Sequence, residues 1–467
     1  MRFDGQRVGV AGLGVSGQAV VGALEPLGVE LTLIDDSAAG AAKPGDVDLA
    51  SLDLLIVSPG WLPSSPLLRA ADQAGLPVWA EVELAWRLRA RPDAPWLAVT
   101  GTNGKTTTVE MLAAMVTAGG VNACAAGNVG TPLVQAAGLA KYDAFAVELS
   151  SFQLHYARSL RPAAAAVLNL APDHIDWHGS LAAYHAAKAR IYQGVRGTLV
   201  YNAEDPAVAQ MARTAQAGQA AGPGAGTRLA GFALRAPRLG ELGLVDGMVM
   251  DRAFSERRYR HAEPLFSLDD LSHLAGPAGR LAPHLVADAL AATALALAYG
   301  TPPDVIAAAL RDFQVGRHRL EEAGSVDGVR YVNDSKATNA HAAAASLSSF
   351  APGSVVWVAG GLAKGASFGP LVAEQASRIK AVVLIGLDHA GLAGALAAEA
   401  PGVPVTEIPP GAEVMTRAVA AASQLASPGD VVLLAPAGAS MDQFESYADR
   451  GRQFGQAVAK MGNANGT

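Results

Sequence analysis

WLAVTGTNGKTTTVEMLAAM, residues 96–115, joins an apolar run to a glycine-containing turn and then to a segment of helical spacing. The run before the turn suits a buried strand, and the segment from Lys105 onward suits a helix. Between them Gly101, Thr102, Asn103, Gly104, Lys105 and Thr106 form G-x-x-G-K-T, two residues shorter than the usual Walker A spacing. Such a turn aims backbone N–H groups and the positive end of a helix at phosphate oxygens. Lys105 then balances charge on the β- and γ-phosphates, and Thr106 offers its hydroxyl to Mg²⁺. A glycine turn with a surface lysine is the plain alternative. A lysine followed by three threonines at a strand-to-helix junction argues against it.

The same strand–turn–helix rhythm extends over the chain. Short β-branched or leucine-rich runs alternate with longer alanine-rich segments, which predicts βαβ units and parallel sheets. Strands are expected at Val8–Val10, Leu31–Ile34 and Leu54–Val57. RARPDAPW, residues 89–96, has two prolines and reads as a linker. Beyond Trp96, strands are expected at Ala144–Glu148, Ala165–Leu170 and Thr198–Tyr201, with a surface loop over 212–228 and an amphipathic helix over Leu285–Ala298. A third set follows Gly316, at Val329–Val332, Val355–Ala359, Val382–Ile385 and Val431–Leu434. The expectation is an α/β chain of three domains, which suits 467 residues. Residues 1–93 read as Rossmann-like, 94–315 as a phosphate-loop ATPase-like parallel sheet, and 316–467 as a second Rossmann-like α/β domain, with linkers near 89–96 and 311–318.

Composition narrows the function. A hydrophobic content of 51% with 16% charged residues marks a globular chain. The net charge of −7 offers no basic field, so neither nucleic acid nor an anionic membrane is expected as partner. The single cysteine, Cys124, excludes an internal disulfide framework and fits a reducing compartment. Apolar runs such as Ala289–Gly300 are too short to span a bilayer. The expectation is a soluble, cytoplasmic protein.

Near the start, Gly12, Gly14 and Gly17 give G-x-G-x-x-G after an apolar strand, and Asp35 and Asp36 close the next strand. That fingerprint suits a nicotinamide dinucleotide, but alone it is weak and leaves GTNGKTT unexplained. A phosphate-loop switch protein is a third possibility. Two further motifs bear on the choice. VELSSFQLH, 147–155, places Glu148 at the C-terminal end of a strand, where a magnesium carboxylate belongs. LNLAPDHIDWHG, 168–179, places Asp173, His174 and Asp176 after another strand. Three motifs at one sheet edge favour an active site.

With these motifs the chain resembles the Mur ligases, ATP-dependent amide-forming enzymes of peptidoglycan precursor synthesis, and with it of cell shape and division. The resemblance runs in order through GLGVSG, SPG (58–60), GTNGKTT, GNVGTP (127–132), ELSSFQL, DHIDWHG, AAKARIY (186–192), GRHRLE (316–321), NDSKATN (333–339) and ASMDQF (439–444). The pattern is nearest the branch that adds D-glutamate to UDP-N-acetylmuramoyl-L-alanine (UDP-MurNAc-L-Ala). The general motifs also fit relatives with other acceptor amino acids; absence of a D-N-P-R segment counts against the diaminopimelate enzyme.

The resemblance implies phosphorylation of a carboxylate by ATP with Mg²⁺ (two ions), followed by attack of the amino group of D-glutamate. Its catalytic set is Lys105, His174, Lys188 and Lys336, with metal contacts at Thr106, Glu148, His174 and Lys188. Lys188 stands where the family carries a lysine carbamylated by CO₂; by sequence alone it is an ordinary helix-surface lysine. ATP contacts carry over to Gly101, Thr102, Asn103, Gly104, Lys105, Thr106, Thr107, Arg319 and Asp334. Gly14, Val15, Ser16, Asp35, Asp36, Gly60, Asn128 and Ser150 match contacts to the UDP-sugar peptide. Thr338, Lys364, Ser440, Met441 and the backbone near Tyr447 match those to D-glutamate. Leu285 and Asp288 replace the family's adenine-side Asn-x-x-Asn, and Ala435 and Gly438 fall at variable places before ASMDQF. Tyr447 stands where phenylalanine is common. A monomer acting on small molecules is expected.

Overall fold

LLIV at Leu54–Val57 and AFAVE at Ala144–Glu148 lack polar alternation, and every residue of both is buried. Strands with no wet face belong in parallel sheets covered by helices on two sides. The computed structural model, which describes residues 3–219, 226–276 and 279–465, bears this out. Among the described residues the strands form three sheets, of four, nine and six strands.

The first sheet contains β1 (Arg7–Ala11), β2 (Glu30–Ile34), β3 (Leu54–Val57) and β4 (Val78–Ala80), all parallel, in the order β2-β1-β3-β4. The second contains β5 (Trp96–Thr100), β6 (Ala123–Gly127), β7 (Ala144–Glu148), β8 (Ala164–Val167), β9 (Thr198–Asn202), β10 (Arg228–Phe232), β11 (Glu241–Val245), β12 (Met248–Asp251) and β13 (Glu263–Ser267). Its order is β13-β12-β11-β10-β9-β8-β5-β7-β6, and only its last two pairings, β11 with β12 and β12 with β13, are antiparallel. The third contains β14 (Glu321–Val326), β15 (Val329–Asn333), β16 (Val355–Gly360), β17 (Ile379–Ile385), β18 (Val405–Glu407) and β19 (Val431–Ala437), in the order β14-β15-β19-β16-β17-β18. β14 is its antiparallel edge. Both β1 and β5 lie where the chain's order along the sheet reverses, so the turn after each opens on the crevice such sheets use for ligands.

Two compact units result: Met1–Leu170 with Trp177–Asp270 and Leu285–Phe313, and Ala171–Asp176 with Leu271–His284 and Gln314–Thr467. The first and second sheets share a unit. Their joint core is continuous through the expected linker. Trp96 is buried against Trp86 at 5.0 Å and Phe145 at 5.9 Å between ring centres. The segment before Trp96 is also anchored, by Ala90 N–H to the Ala137 carbonyl and by an Arg91–Asp143 ion pair. Residues 89–96 are therefore a tied-down connection, not a loose one.

Two other expectations are corrected. Residues 212–219 of the expected loop belong to a helix, Pro206–Gln219, that buries Val208, Ala209 and Ala212; alanine and glutamine are good helix formers even without a clear period. Residues 220–225 of the expected loop lie outside the described residues. The helix expected to be amphipathic spans Pro283–Tyr299 and is buried nearly all round, from Leu285 to Ala296. Alanine-rich faces let neighbours approach on every side, so its sequence shows little contrast between faces. Among the described residues, no helix is long and apolar enough to cross a membrane.

Helix Glu81–Leu88 carries two buried acids. Glu83 accepts hydrogen bonds from Arg87 Nε, the Arg158 and Ser159 amides and the Ser159 hydroxyl. Glu81 accepts from the Val134 amide, and burial pushes its carboxyl up to about 7, against the pull of the Val134 and Leu133 amides. The folded chain thus keeps a proton that the unfolded chain releases near pH 4.5. Stability contributed by this group is full below that pH and falls as pH rises towards 7. Urea denaturation at pH 5 and pH 8 should show the wild type losing up to about 3 kcal/mol more than Glu81→Gln over that interval. Identical losses in both proteins would remove Glu81 as the cause.

Candidate active site

The turn after β5 is held by backbone geometry that admits only glycine. Gly104 has φ +84°, and a Cβ there would lie 2.1 Å from an Asp288 carboxylate oxygen. The turn is braced from the segment that follows β8: the Asn103 amide donates to Asn169 Oδ1 at 2.9 Å, and Asn169 Nδ2 donates to the Asn103 carbonyl at 3.2 Å. Helix Lys105–Ala118 starts directly behind it. Lys105 Nζ folds back on the turn, donating to the Gly101 carbonyl at 3.0 Å and the Thr102 carbonyl at 2.9 Å.

The register sets Val99 of β5 opposite Glu148 of β7, which brings the strand-end acid beside this helix start. Thr106 Oγ1 donates to Glu148 Oε2 at 2.7 Å, and Asn128 Nδ2 donates to Glu148 Oε1 at 3.0 Å. Glu148 is only 2% exposed. Among the described residues, no group of three or more His, Cys, Asp or Glu side chains converges to hold a metal. The hydroxyl–carboxylate pair nevertheless fits Mg²⁺, a hard cation that takes one or two protein oxygens together with phosphates and water.

Lys188 is the largest departure from the sequence reading. It lies on helix Leu181–Ala189 and is 2% exposed, not on the surface. Its Nζ donates to the Gly101 carbonyl at 2.7 Å, reaches Thr100 Oγ1 at 3.4 Å and stands 4.8 Å from the Tyr184 ring centre. Tyr184 itself hydrogen-bonds Thr102 Oγ1 at 2.9 Å. Lys105 and Lys188 thus meet on one carbonyl of the turn.

In the first sheet, a Cβ on Gly17 would lie 1.9 Å from the Gly12 carbonyl oxygen, so helix Val15–Leu24 can close on the turn only with glycine there. Gly14 and Val15 at its start are exposed, as is Gly60. Asp35 is a brace: it accepts from the amides of Leu13, Ser37 and Ala38 and from the Ser37 hydroxyl. Those donors, led by the Leu13 amide, hold its carboxyl well below the usual carboxylate range. Asp36 is exposed, and Ser150 caps helix Ser151–His155 in a capping box with Gln153.

The second unit gathers another set. His174 has φ +53°, with Nε2 3.5 Å from Asp173 Oδ2, and Asn339 Nδ2 stands 3.5 Å from the same oxygen. Asp334 is buried beside the Ser346 hydroxyl; burial pushes its carboxyl up to about 6, with Ser346, Arg319 and the Leu320 amide pulling it down. Lys336 Nζ stands 3.9 Å from the Tyr447 ring centre. Lys364 has φ +49°, Ser440 is buried, and Met441 is 75% exposed. The Tyr447 carbonyl accepts from Ser335 Oγ at 2.8 Å.

Sequence reasoning missed Arg450. It is fully buried on helix Tyr447–Asn465 and donates to Ser335 Oγ at 3.0 Å, to the Ser335 carbonyl at 2.9 Å and to the Gly438 carbonyl at 3.1 Å. Ser335 lies in NDSKATN and Gly438 precedes ASMDQF, so one guanidinium joins both motifs. Nothing in the spacing around DRGRQF signals this.

Residues 99–222 match the Mur ligase middle domain, and residues 318–438 match the glutamate ligase domain of Mur ligases. A UDP-N-acetylmuramoylalanine--D-glutamate ligase of Streptomyces avermitilis is 48% identical, over 98% of this chain and 99% of its own. Another, of Thermobifida fusca, is 49% identical with the same coverage. The chain belongs to the Mur ligase family. The fold agrees: a pseudomurein peptide ligase type C from Methanothermus fervidus superposes with a TM-score of 0.58 at 17% identity, over 98% of this chain and 100% of that one. As a Mur ligase the chain is an ATP-dependent, amide-bond-forming enzyme. Hydride transfer, the first reading of GLGVSG, falls with that membership, and so does the nucleotide switch.

Proposed function

We propose that this Mur ligase adds D-glutamate to UDP-MurNAc-L-Ala through an acyl phosphate, in the cytoplasmic synthesis of peptidoglycan precursor. The observation that carries the reading is the convergence of Lys105 and Lys188 on the Gly101 carbonyl, next to the Thr106–Glu148 pair. The Lys105 ammonium and a magnesium-type oxygen pair at a helix start are what transfer of a γ-phosphoryl group demands, and Lys188 on the same carbonyl is the neighbour a carbamate would turn towards the metal.

A carboxylate oxygen of the L-alanyl group attacks the γ-phosphorus, and the bond to the bridging oxygen breaks to release ADP. The amine of D-glutamate then attacks the acyl carbon; phosphate leaves, and the amine gives up a proton as the amide forms. Lys105 stabilises charge on the transferred group. Thr106 and Glu148 would hold Mg²⁺, with His174 as a ligand of a second ion, and magnesium so held would neutralise phosphate oxygens. Lys188, once carbamylated, would present a carboxylate-like group to magnesium. Arg319, Asp334 and Lys336 serve the nucleotide and the acyl phosphate; Thr338, Lys364, Ser440, Met441 and the Tyr447 backbone receive D-glutamate, whose carboxylates suit cationic and hydroxyl donors. Gly14, Val15, Ser16, Gly60, Asn128 and Ser150 take the UDP-sugar peptide, with Asp36 nearer the uridine and Asp35 acting through the turn it braces. Segments 1–93, 94–315 and 316–467 serve as three domains of a monomer.

Phosphate release from ATP tests this. Release should be negligible until both UDP-MurNAc-L-Ala and D-glutamate are present, and should fall in CO₂-depleted buffer and recover with bicarbonate. Equal release with neither acceptor nor donor would overturn the ligase reading; indifference to bicarbonate would overturn the carbamate on Lys188.

A further inference from the structure

The diphosphate turn and the peptide-side loop belong to different sheets, and a bridge of side chains joins them. Trp177 is 8% exposed, and its Nε1 donates to the Trp61 carbonyl at 3.0 Å. Trp61 follows the SPG segment, and its own ring lies on the glycine turn: a Cβ on Gly12 would stand 2.9 Å from Trp61 Nε1. The segment is pinned to that turn a second time, by Ser58 Oγ donating to the Gly12 carbonyl at 2.7 Å. On the other side, the Trp177 ring packs on Phe152 at 4.6 Å between centres. His178, the next residue, packs on Trp177 at 4.5 Å and hydrogen-bonds Ser151 Oγ through Nε2 at 2.9 Å. Ser151 and Phe152 directly follow Ser150 in ELSSFQL.

We infer that Trp177, with His178, is a positioning residue that sets the spacing between the subsite for the diphosphate and the subsite for the peptide carboxylate. The inference rests on the substrate assignment proposed above. A ligand that engages two subsites gains affinity over its fragments only if the subsites are held at the ligand's own span. The same spacing fixes the carboxylate in front of the phosphate loop, where small displacements cost rate. Neither side chain need touch substrate: the indole N–H holds the first sheet's loop, and the imidazole holds the second sheet's. Buried indole N–H groups find partners as a rule, so the bond itself is ordinary. What assigns it a role is the place of both partners, each adjoining a substrate segment.

Calorimetric titration with UDP and with UDP-MurNAc-L-Ala separates the possibilities. Trp177→Phe keeps a ring against Phe152 and loses the donor. It should bind UDP as the wild type does and UDP-MurNAc-L-Ala about tenfold more weakly, the equivalent of one hydrogen bond's net worth. In turnover the KM for UDP-MurNAc-L-Ala should rise while that for D-glutamate holds. His178→Phe, which keeps an aromatic ring and loses the bond to Ser151, should repeat the pattern, so a poorly folding Trp177 variant does not end the test. Equal weakening of both ligands, or of neither, would reduce the bridge to packing. Should the wild type itself bind UDP-MurNAc-L-Ala no better than UDP, the substrate assignment fails instead.

Discussion

Lys105→Ala should lower kcat by about 10³-fold or more, with the thermal midpoint little changed. The side chain is half-buried and lies along its own turn, donating to the carbonyls of Gly101 and Thr102. Those carbonyls belong to a loop already held by Asn169 and by the glycine geometry at Gly104, so the fold survives the loss. Charge stabilisation at the transferred phosphoryl group does not survive it. Lys188, held on Thr100 Oγ1 and the Gly101 carbonyl and carbamylated in the proposed reaction, supplies no replacement cation. Steady-state phosphate release and a circular dichroism melt on the same preparation check both halves. A variant with near-normal kcat would refute the role given to Lys105.

Arg450→Met should cost stability and D-glutamate recognition together. The guanidinium fills three buried hydrogen bonds, two to Ser335 and one to the Gly438 carbonyl, and methionine leaves those acceptors without a donor. Unpaired buried polar groups cost about 1–3 kcal/mol each, so a loss of roughly 3 kcal/mol or more is expected in urea denaturation. The KM for D-glutamate should rise by more than that for UDP-MurNAc-L-Ala, because the released loops carry Thr338, Ser440 and Met441, the residues proposed to receive D-glutamate. Arg450→Lys should not restore it: a single ammonium cannot reproduce a planar fork that reaches two loops. An unchanged urea midpoint and an unchanged KM for D-glutamate would show that the loops hold their places without Arg450.

The alternation of strands and helices was legible because both-face burial leaves uninterrupted apolar runs: Leu54–Val57 and Ala144–Glu148 occur where the runs predicted them. The phosphate turn was legible because its constraints are local, glycine for a positive φ and a lysine and threonine at fixed offsets from the strand end. The alanine-rich helices were harder. Residues 212–219 lack a strong period and were expected in a loop but end helix Pro206–Gln219, and Leu285–Ala298 looked one-sided but lies in a helix covered nearly all round. Alanine is compatible with either environment, so its pattern carries little directional information.

By itself the sequence determined which segments turn, which carry acids and cations, and, through ordered motifs, the family to which they belong. Each of those properties depends on residue type and short spacing. Tertiary structure alone decided the environment of the charges. Lys188 sits in a stretch that suits a solvated helix face, yet the fold buries it against Thr100 and Gly101 at the end of β5. Asp35, matched by the resemblance to a substrate contact, also accepts from the amides of Leu13, Ser37 and Ala38. Arg450 and Trp177 act on residues more than a hundred positions away, Ser335 and Trp61. Burial and hydrogen-bond partnership are set by what the rest of the chain places alongside a residue, and no local spacing encodes that.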